Sequence, residues 1–196
     1  MSDQDWDDED DDEAHPALTL VSRFIGAAAS PFWFSSVGQK LRPSLRRDAQ
    51  AWLGALGFPD ATPIGLRDWR EASEAAESTG IDDPAFEAEE QLRAALTTEA
   101  IDLMGEDAVS VVLTHLGGEL GPRIGEAALN AIRVWGLDDA ELANAAAGSG
   151  VQACHNAALL LLAGRADETH AFALKYRLFE QGRWPIALIG TSLHLF

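Results

Sequence analysis

The sequence predicts a mainly α-helical protein: a compact multi-helix domain, with helical-hairpin repeats as one form of it, a small C-terminal β-hairpin and a disordered acidic N-terminal tail. Three observations carry this expectation. Apolar residues recur at helical spacing through most of the chain. The last thirteen residues change to a two-residue alternation around Gly190–Thr191. The first thirteen residues hold nine acids and no base, a density that repels itself and cannot form a core. The organisation read from these shifts is a tail over residues 1–14 and a single helical domain over 15–196, whose hairpin occupies 184–196. With 196 residues, 47% of them apolar, eight Phe and six Trp, the chain has enough apolar surface for a substantial core.

The elements follow in order. "ALTLVSRFIGAAA" is compatible with a helix ended by Ser30–Pro31, and "SPFWFSSVG" reads as an irregular aromatic segment. Ser44 is a candidate N-cap for a helix in which Leu45, Ala49, Trp52 and Leu56 recur at helical spacing. "FPDATPIG" reads as a turn-rich surface connection. A helix over "LRDWREASEAAEST" is expected to end at Gly80, and the next to open with Asp83 as cap and Pro84 at its first position. Phe86, Leu92, Leu96, Ile101 and Met104 supply that helix's apolar face. "DAVSVVLTHLGG" suggests a short buried helix, and "GGELGPRIG" a connection to a following helix carrying Ile124, Ala128, Ala131 and Trp135. Asp138 or Asp139 caps a short helix that "GSG" (148–150) is expected to end. "VQACHNAALLLLAG" is apolar nearly all round, as in a buried central helix. "ADETHAFALKYRLFEQG" places Phe172, Tyr176 and Phe179 on one stripe with Leu174 and Leu178 beside it. In the hairpin, a two-residue turn sets Leu188 opposite Leu193 and Ile186 opposite Leu195, all on one face.

A faint repeat runs through the helical part. Segments beginning Ala-Ala-Leu at residues 94, 127 and 157 each lead to a glycine followed by acids. The spacing is near that of helix–turn–helix repeats, but the diagnostic positions of known repeats are missing, and ordinary cap usage explains Gly and Asp at these places.

Few catalytic classes survive inspection. The one cysteine, Cys154, forms no CxxC signature, and lies in an apolar helix where a thiol is usually inert. The five histidines show no helical i, i+4 pair and no HExxH, so no metal site or other cofactor is expected. The glycine cluster lacks the Gly-Lys-Ser/Thr ending of a phosphate loop and does not fit GxGxxG. GxSxG is absent as well.

Charge gives the functional expectation. The net charge is −18, which opposes binding to nucleic acid or to an anionic membrane. The expected function is therefore non-enzymatic protein–protein interaction, as an adaptor, an inhibitor or an immunity-type protein of a bacterium, in which an acidic surface takes a basic protein partner. A small enzyme or ligand-binding domain with a site of scattered residues is the first alternative, and a DNA mimic the second. No basic n-region or spanning segment is evident, so a cytoplasmic protein is expected, and homo-oligomerisation is compatible with the composition. The candidate partner-binding residues are Trp6, Asp7, Asp8, Glu9, Asp10, Asp11 and Asp12 in the tail, and Arg42, Arg46 and Arg47 in the acid-free stretch 14–47. A tryptophan amid carboxylates suits a short linear motif, the ring filling a pocket while the charges steer toward bases. The pocket is either on a partner or on the chain's own basic stretch; a plain solubilising tail accounts for the charge but not for Trp6.

If the tail is such a motif, neutralising its acids lowers the association rate and flattens its salt dependence. Trp6→Ala raises the dissociation rate, by about 1–3 kcal/mol for a ring buried at the contact. Stopped-flow association with the partner at several salt concentrations reads both effects. Equal rates with and without residues 1–13 would leave only solubilisation.

Overall fold

The computed structural model describes residues 16–29, 32–78 and 84–196. Candidate residues Trp6 to Asp12, the Ser30–Pro31 helix stop, Gly80 and the Asp83 cap lie outside them. Among the described residues the chain forms α1 (Pro16–Ala28), α2 (Pro43–Ala55), β1 (Thr62–Gly65), α3 (Trp69–Glu77), α4 (Pro84–Met104), α5 (Glu106–Val134), α6 (Ala140–Leu162), α7 (Ala171–Glu180), β2 (Pro185–Ile189) and β3 (Ser192–Leu195). The expected class is thus present: a helical protein with a small C-terminal sheet.

Two of these helices are longer than their sequence suggests. α5 spans 29 residues and runs through Gly117, Gly118, Gly121 and Pro122, where a connection was expected. Its continuity rests on one buried stripe, Leu116, Leu120, Ile124, Ala128 and Ile132, whose four-residue steps stay on one face. Proline at 122 forgoes a hydrogen bond and crowds the carbonyl of residue 118. Glycine at that position carries no side chain to add to the crowding. α6 likewise passes through Gly148–Ser149–Gly150 instead of ending there. Gly150 is buried, and a Cβ on it would stand 3.0 Å from Ile124 Cγ2 and 3.5 Å from Trp33 Cζ3. The glycine therefore lets α5 and the aromatic segment approach α6.

α6 is the centre of the larger core, with α1, α4, α5 and α7 packed against it. Trp33 and Phe34, on the irregular segment, are buried in this core. The Trp33 and Phe34 rings lie 5.7 and 6.1 Å from Phe179, and Phe24 is 4.9 Å from Tyr176. Phe34 takes a positive φ of 57°, a strained value for a bulky residue that its burial in this cluster holds in place. α7 is apolar on two faces. Phe172, Tyr176 and Phe179 enter the larger core, whereas Leu174 and Leu178 join a second cluster with α2 and the sheet.

The segment read as a surface connection supplies β1. It pairs in parallel with β3, Ile64 opposite His194, giving the sheet order β1-β3-β2. In the hairpin, Leu188 faces Leu193 as expected, but Leu195 faces Pro185 and not Ile186. A bulge between Pro185 and Ala187 causes the shift. It sends Ile186 to the larger core, while Leu188, Leu193 and Leu195 face α2. Gly190 takes φ +60° and Thr191 an ordinary one, the pattern of a type II′ turn.

Capping differs in detail. Pro43 opens α2 with Arg42 as N-cap, so Ser44 lies inside the first turn. Proline needs no partner for its missing N–H there. Asp139 caps α6, its carboxylate accepting from Leu142 N at 2.9 Å. Phe86 is half-exposed instead of facing the core. The faint Ala-Ala-Leu repeat corresponds to the ends of α4, α5 and α6, where Gly105, Gly136 and Gly164 all have positive φ. It marks three glycine-terminated helix ends.

One ion pair ties the two clusters. Lys175 Nζ donates to Glu89 Oε2 at 2.7 Å, with side chains only 11% and 5% exposed. The same ammonium lies 5.5 Å from the centre of the Trp52 ring. The pair thereby joins α4, α7 and α2. Removing one member strands a buried charge, so Glu89→Ala should cost about 3–5 kcal/mol of stability. Glu89→Leu combined with Lys175→Met should cost far less, because no charge is left behind. Urea unfolding of both variants reads the difference; equal losses would mean that packing, not charge, dominates.

Candidate functional site

Of the sequence-predicted site residues within the described part, Arg46 lines a concavity. Together with Lys40 and Arg67 it borders a hollow of 410 Å³ between the 38–41 strap and the start of α3. Arg46 is already engaged there, its Nη1 donating to Pro63 O at 2.8 Å and fastening α2 to β1. Arg67 pairs with Glu71. Arg42, the N-cap of α2, and Arg47 on α2 are exposed and are not among the residues that line the hollow. Beneath the strap, Arg183 is buried and donates to the carbonyls of Gln39 and Lys40. Burial, with Arg42 nearby, lowers its pKa to about 10. Arg183 therefore holds the 38–41 strap against the body, and Arg46 holds α2 to β1.

The acids lie elsewhere. Residues 71–196 carry 20 Asp and Glu against seven Lys and Arg. A cleft of 310 Å³ between α3 and α6 is lined by Glu77, Asp139 and Glu141 with Ser73 at its edge and Ala76, Leu142 and Ala145 beneath. Two of the three carboxylates are bonded within their own helix. Asp139 is held by its cap bond, and Glu77 accepts from Ser73 Oγ at 3.1 Å. Glu141 stands in the first turn of α6, where the helix dipole favours negative charge. The chain that leads into the cleft is apolar and exposed: Val134 is 85% accessible, with Trp135 at 41% and Leu137 at 42%. Trp135 is steadied from inside, its ring 6.1 Å from Phe196.

The helix face "EASEAAE" is a solvated surface in sequence, and Asp139 a cap. Nothing in the sequence brings Glu77 to Glu141, because their meeting depends on how α3 lies against α6. The signal that could have marked the place is the unbroken run of exposed apolar residues before an Asp-Asp cap.

Other reactive groups are placed unfavourably for chemistry. Burial, assisted by Glu180, pushes the Cys154 thiol up to about 12, so it is not a thiolate nucleophile at neutral pH. Tyr176 is raised by the same burial, and Glu180 is raised as well. Among the described residues no group of three or more His, Cys, Asp and Glu is arranged to hold a metal ion, and no helix is long and apolar enough to cross a membrane. Comparison with known proteins finds no family that matches the chain, no curated protein similar to it and no similar solved structure. What the fold and the cleft define is therefore a class, a helical protein presenting an acidic cleft beside an exposed apolar turn.

His155, His170 and His194 are each held below the usual imidazole value, first of all by burial. The folded chain accordingly binds fewer protons than the unfolded chain below the unfolded value of about 6.5. Stability that is complete above that pH is lost as pH falls toward the folded values. Glu180, raised by burial, acts in the opposite sense closer to the carboxylate range. The urea midpoint is expected to be lower at pH 5.5 than at pH 7.5, and His155→Gln to narrow the gap. A midpoint that holds or rises on acidification would contradict this.

Proposed function

We propose that the protein works by non-enzymatic protein–protein interaction, in the manner of an adaptor, an inhibitor or an immunity-type protein, and takes a basic partner at the α3–α6 corner. The observation that carries this is the acidic cleft set beside Val134, Trp135 and Leu137. Interfaces are built from an apolar centre that excludes water and a polar rim that sets register. Here the exposed turn supplies the apolar centre, and Glu77, Asp139 and Glu141 receive an arginine or lysine of the partner. Glu77 and Asp139, each already bonded within its helix, lose little freedom on pairing with an arginine. The excess of acids over residues 71–196 accelerates the encounter, and the acidic run of residues 1–13 adds to the same field.

The test is capture from the native host at low salt, followed by calorimetry of the captured partner with purified variants of the full chain. Glu77→Lys with Glu141→Lys is expected to weaken binding at least tenfold, which corresponds to about 1.4 kcal/mol. Val134→Ser with Leu137→Ser should weaken it without altering its salt dependence. Glu119→Lys, on α5 and away from the cleft lining, serves as a control and should change affinity little. A partner that binds both the charge-reversed and the Val134/Leu137 variants as tightly as the parent chain would overturn the proposal.

A further inference from the structure

A second cleft, of 680 Å³, opens between α4, α5 and the middle of α6. Its volume lies within the range of small-molecule sites. Its lining is unlike the rest of α6. Elsewhere the buried residues of that helix are Ala, Leu, Gly and Cys, but here Gln152, His155 and Asn156 stand together.

Asn156 is only 2% exposed, and its Nδ2 has no hydrogen-bond partner among the described residues. Leaving a buried amide unsatisfied is costly, a cost that leucine at this position would avoid. His155 Nε2 is likewise without a partner. Burial lowers the imidazole's pKa, with the Leu113 carbonyl acting the other way. The ring is therefore neutral at pH 7 and keeps one nitrogen as an acceptor. Room for the ring depends on Gly117, where a Cβ would come within 3.2 Å of Nε2.

The remaining groups narrow the ligand. Arg93 is paired with Glu90 along the same helix, so the polar lining carries no net charge. Thr97 Oγ1 donates to Arg93 O at 2.8 Å and is committed. Leu113, Val151 and Leu159 offer apolar walls. The groups without a partner are thus the buried Asn156 amide nitrogen and His155 Nε2, with the half-buried Gln152 amide also in the lining, beside a surface suited to a flat apolar body.

We propose that this cleft binds an uncharged small molecule with a planar amide edge, a carbonyl beside an N–H as in lactams, cyclic ureides and pyrimidine bases. The Asn156 amide donates to the carbonyl and the His155 imidazole accepts from the N–H. The site is separate from the acidic corner, because it uses Gly148 to Leu159 of α6 whereas the corner uses Asp139 to Ala145.

The experiment is a titration of the isotope-labelled full chain with uracil and with δ-valerolactam, followed at the Asn156 side-chain amide by NMR. Hexanoate serves as the charged comparison. A saturable shift with at least one amide probe is expected, with a dissociation constant below about 1 mM. Asn156→Leu should weaken that binding at least tenfold while leaving thermal stability unchanged or raised, since it removes an unsatisfied amide; a merely structural asparagine would lose stability instead. Gly148→Leu is the second variant. A Cβ at 148 meets nothing within 4 Å, so leucine there occupies the cleft without disturbing the core and should abolish binding. The proposal is overturned if neither amide probe gives a saturable shift, if both variants bind like the parent, or if hexanoate binds as well as the amides.

Discussion

α6 buries twelve of its 23 residues, and almost everything else in the molecule is arranged by what can approach it. Ala143, Ala146, Gly150, Ala153 and Ala157 lie at steps of three and four along it and are all buried. Small side chains at that spacing let neighbouring backbones come close, and the contact at Gly150 shows how little room is left. An added Cβ there would press on Ile124 Cγ2 at 3.0 Å, and densely packed interiors absorb such volume poorly. α5 follows from this constraint. Its isoleucine and leucine stripe is long because α6 presents a long smooth face, and the match carries α5 across its glycines and proline. The aromatic segment at 32–37 follows too, since Trp33 and Phe34 also lie against Gly150.

A helix so enclosed can carry polar side chains only where something takes them up. That makes Gln152, His155 and Asn156 the anomaly of the structure. The second cluster solves a similar problem differently. There a buried charge is retained, but Glu89 meets Lys175 and Lys175 meets the Trp52 ring. Paired in this way, the charges sustain the junction of α2, α4 and α7. Polar burial at these two places thus differs: Glu89 is met internally through Oε2, whereas Asn156 Nδ2 and His155 Nε2 lie without a partner in residues that line a cleft. Some of the bases are taken up within the fold, Arg46 and Arg183 by backbone carbonyls and Arg67 by Glu71, and over residues 71–196 the acids are in excess.

The elements legible in the sequence are those whose stabilising partners lie nearby along the chain. α7 announces its two faces through residues within a few turns, and the hairpin announces its turn through Gly190 and the pair Leu188–Leu193. What the sequence hides depends on distant chain. Gly148 to Gly150 reads as a stop because glycine weakens a helix, and only the approach of Ile124 and Trp33 reveals its use. β1 reads as a turn because "TPIG" has no strand length, and its partner β3 lies about 130 residues further on. Candidate sites fare the same way. The tail and the Arg42–Arg47 stretch stand out by local charge density, and within that stretch Arg46 fastens α2 to β1 while Arg42 and Arg47 are exposed. The two clefts draw on Glu77 with Glu141, and on Arg93 with Asn156, pairs that no spacing rule connects.

If α6 is the organising element, its middle turns open only when the whole molecule unfolds. Native-state hydrogen exchange measures this directly. The amides of residues 146–160 are predicted to exchange in the slowest class, together with residues 116–132 of α5, and Gly150→Val to lower the protection of both groups by the same amount. Exchange of the α6 amides through local opening, faster than the amides of α2, would contradict the account.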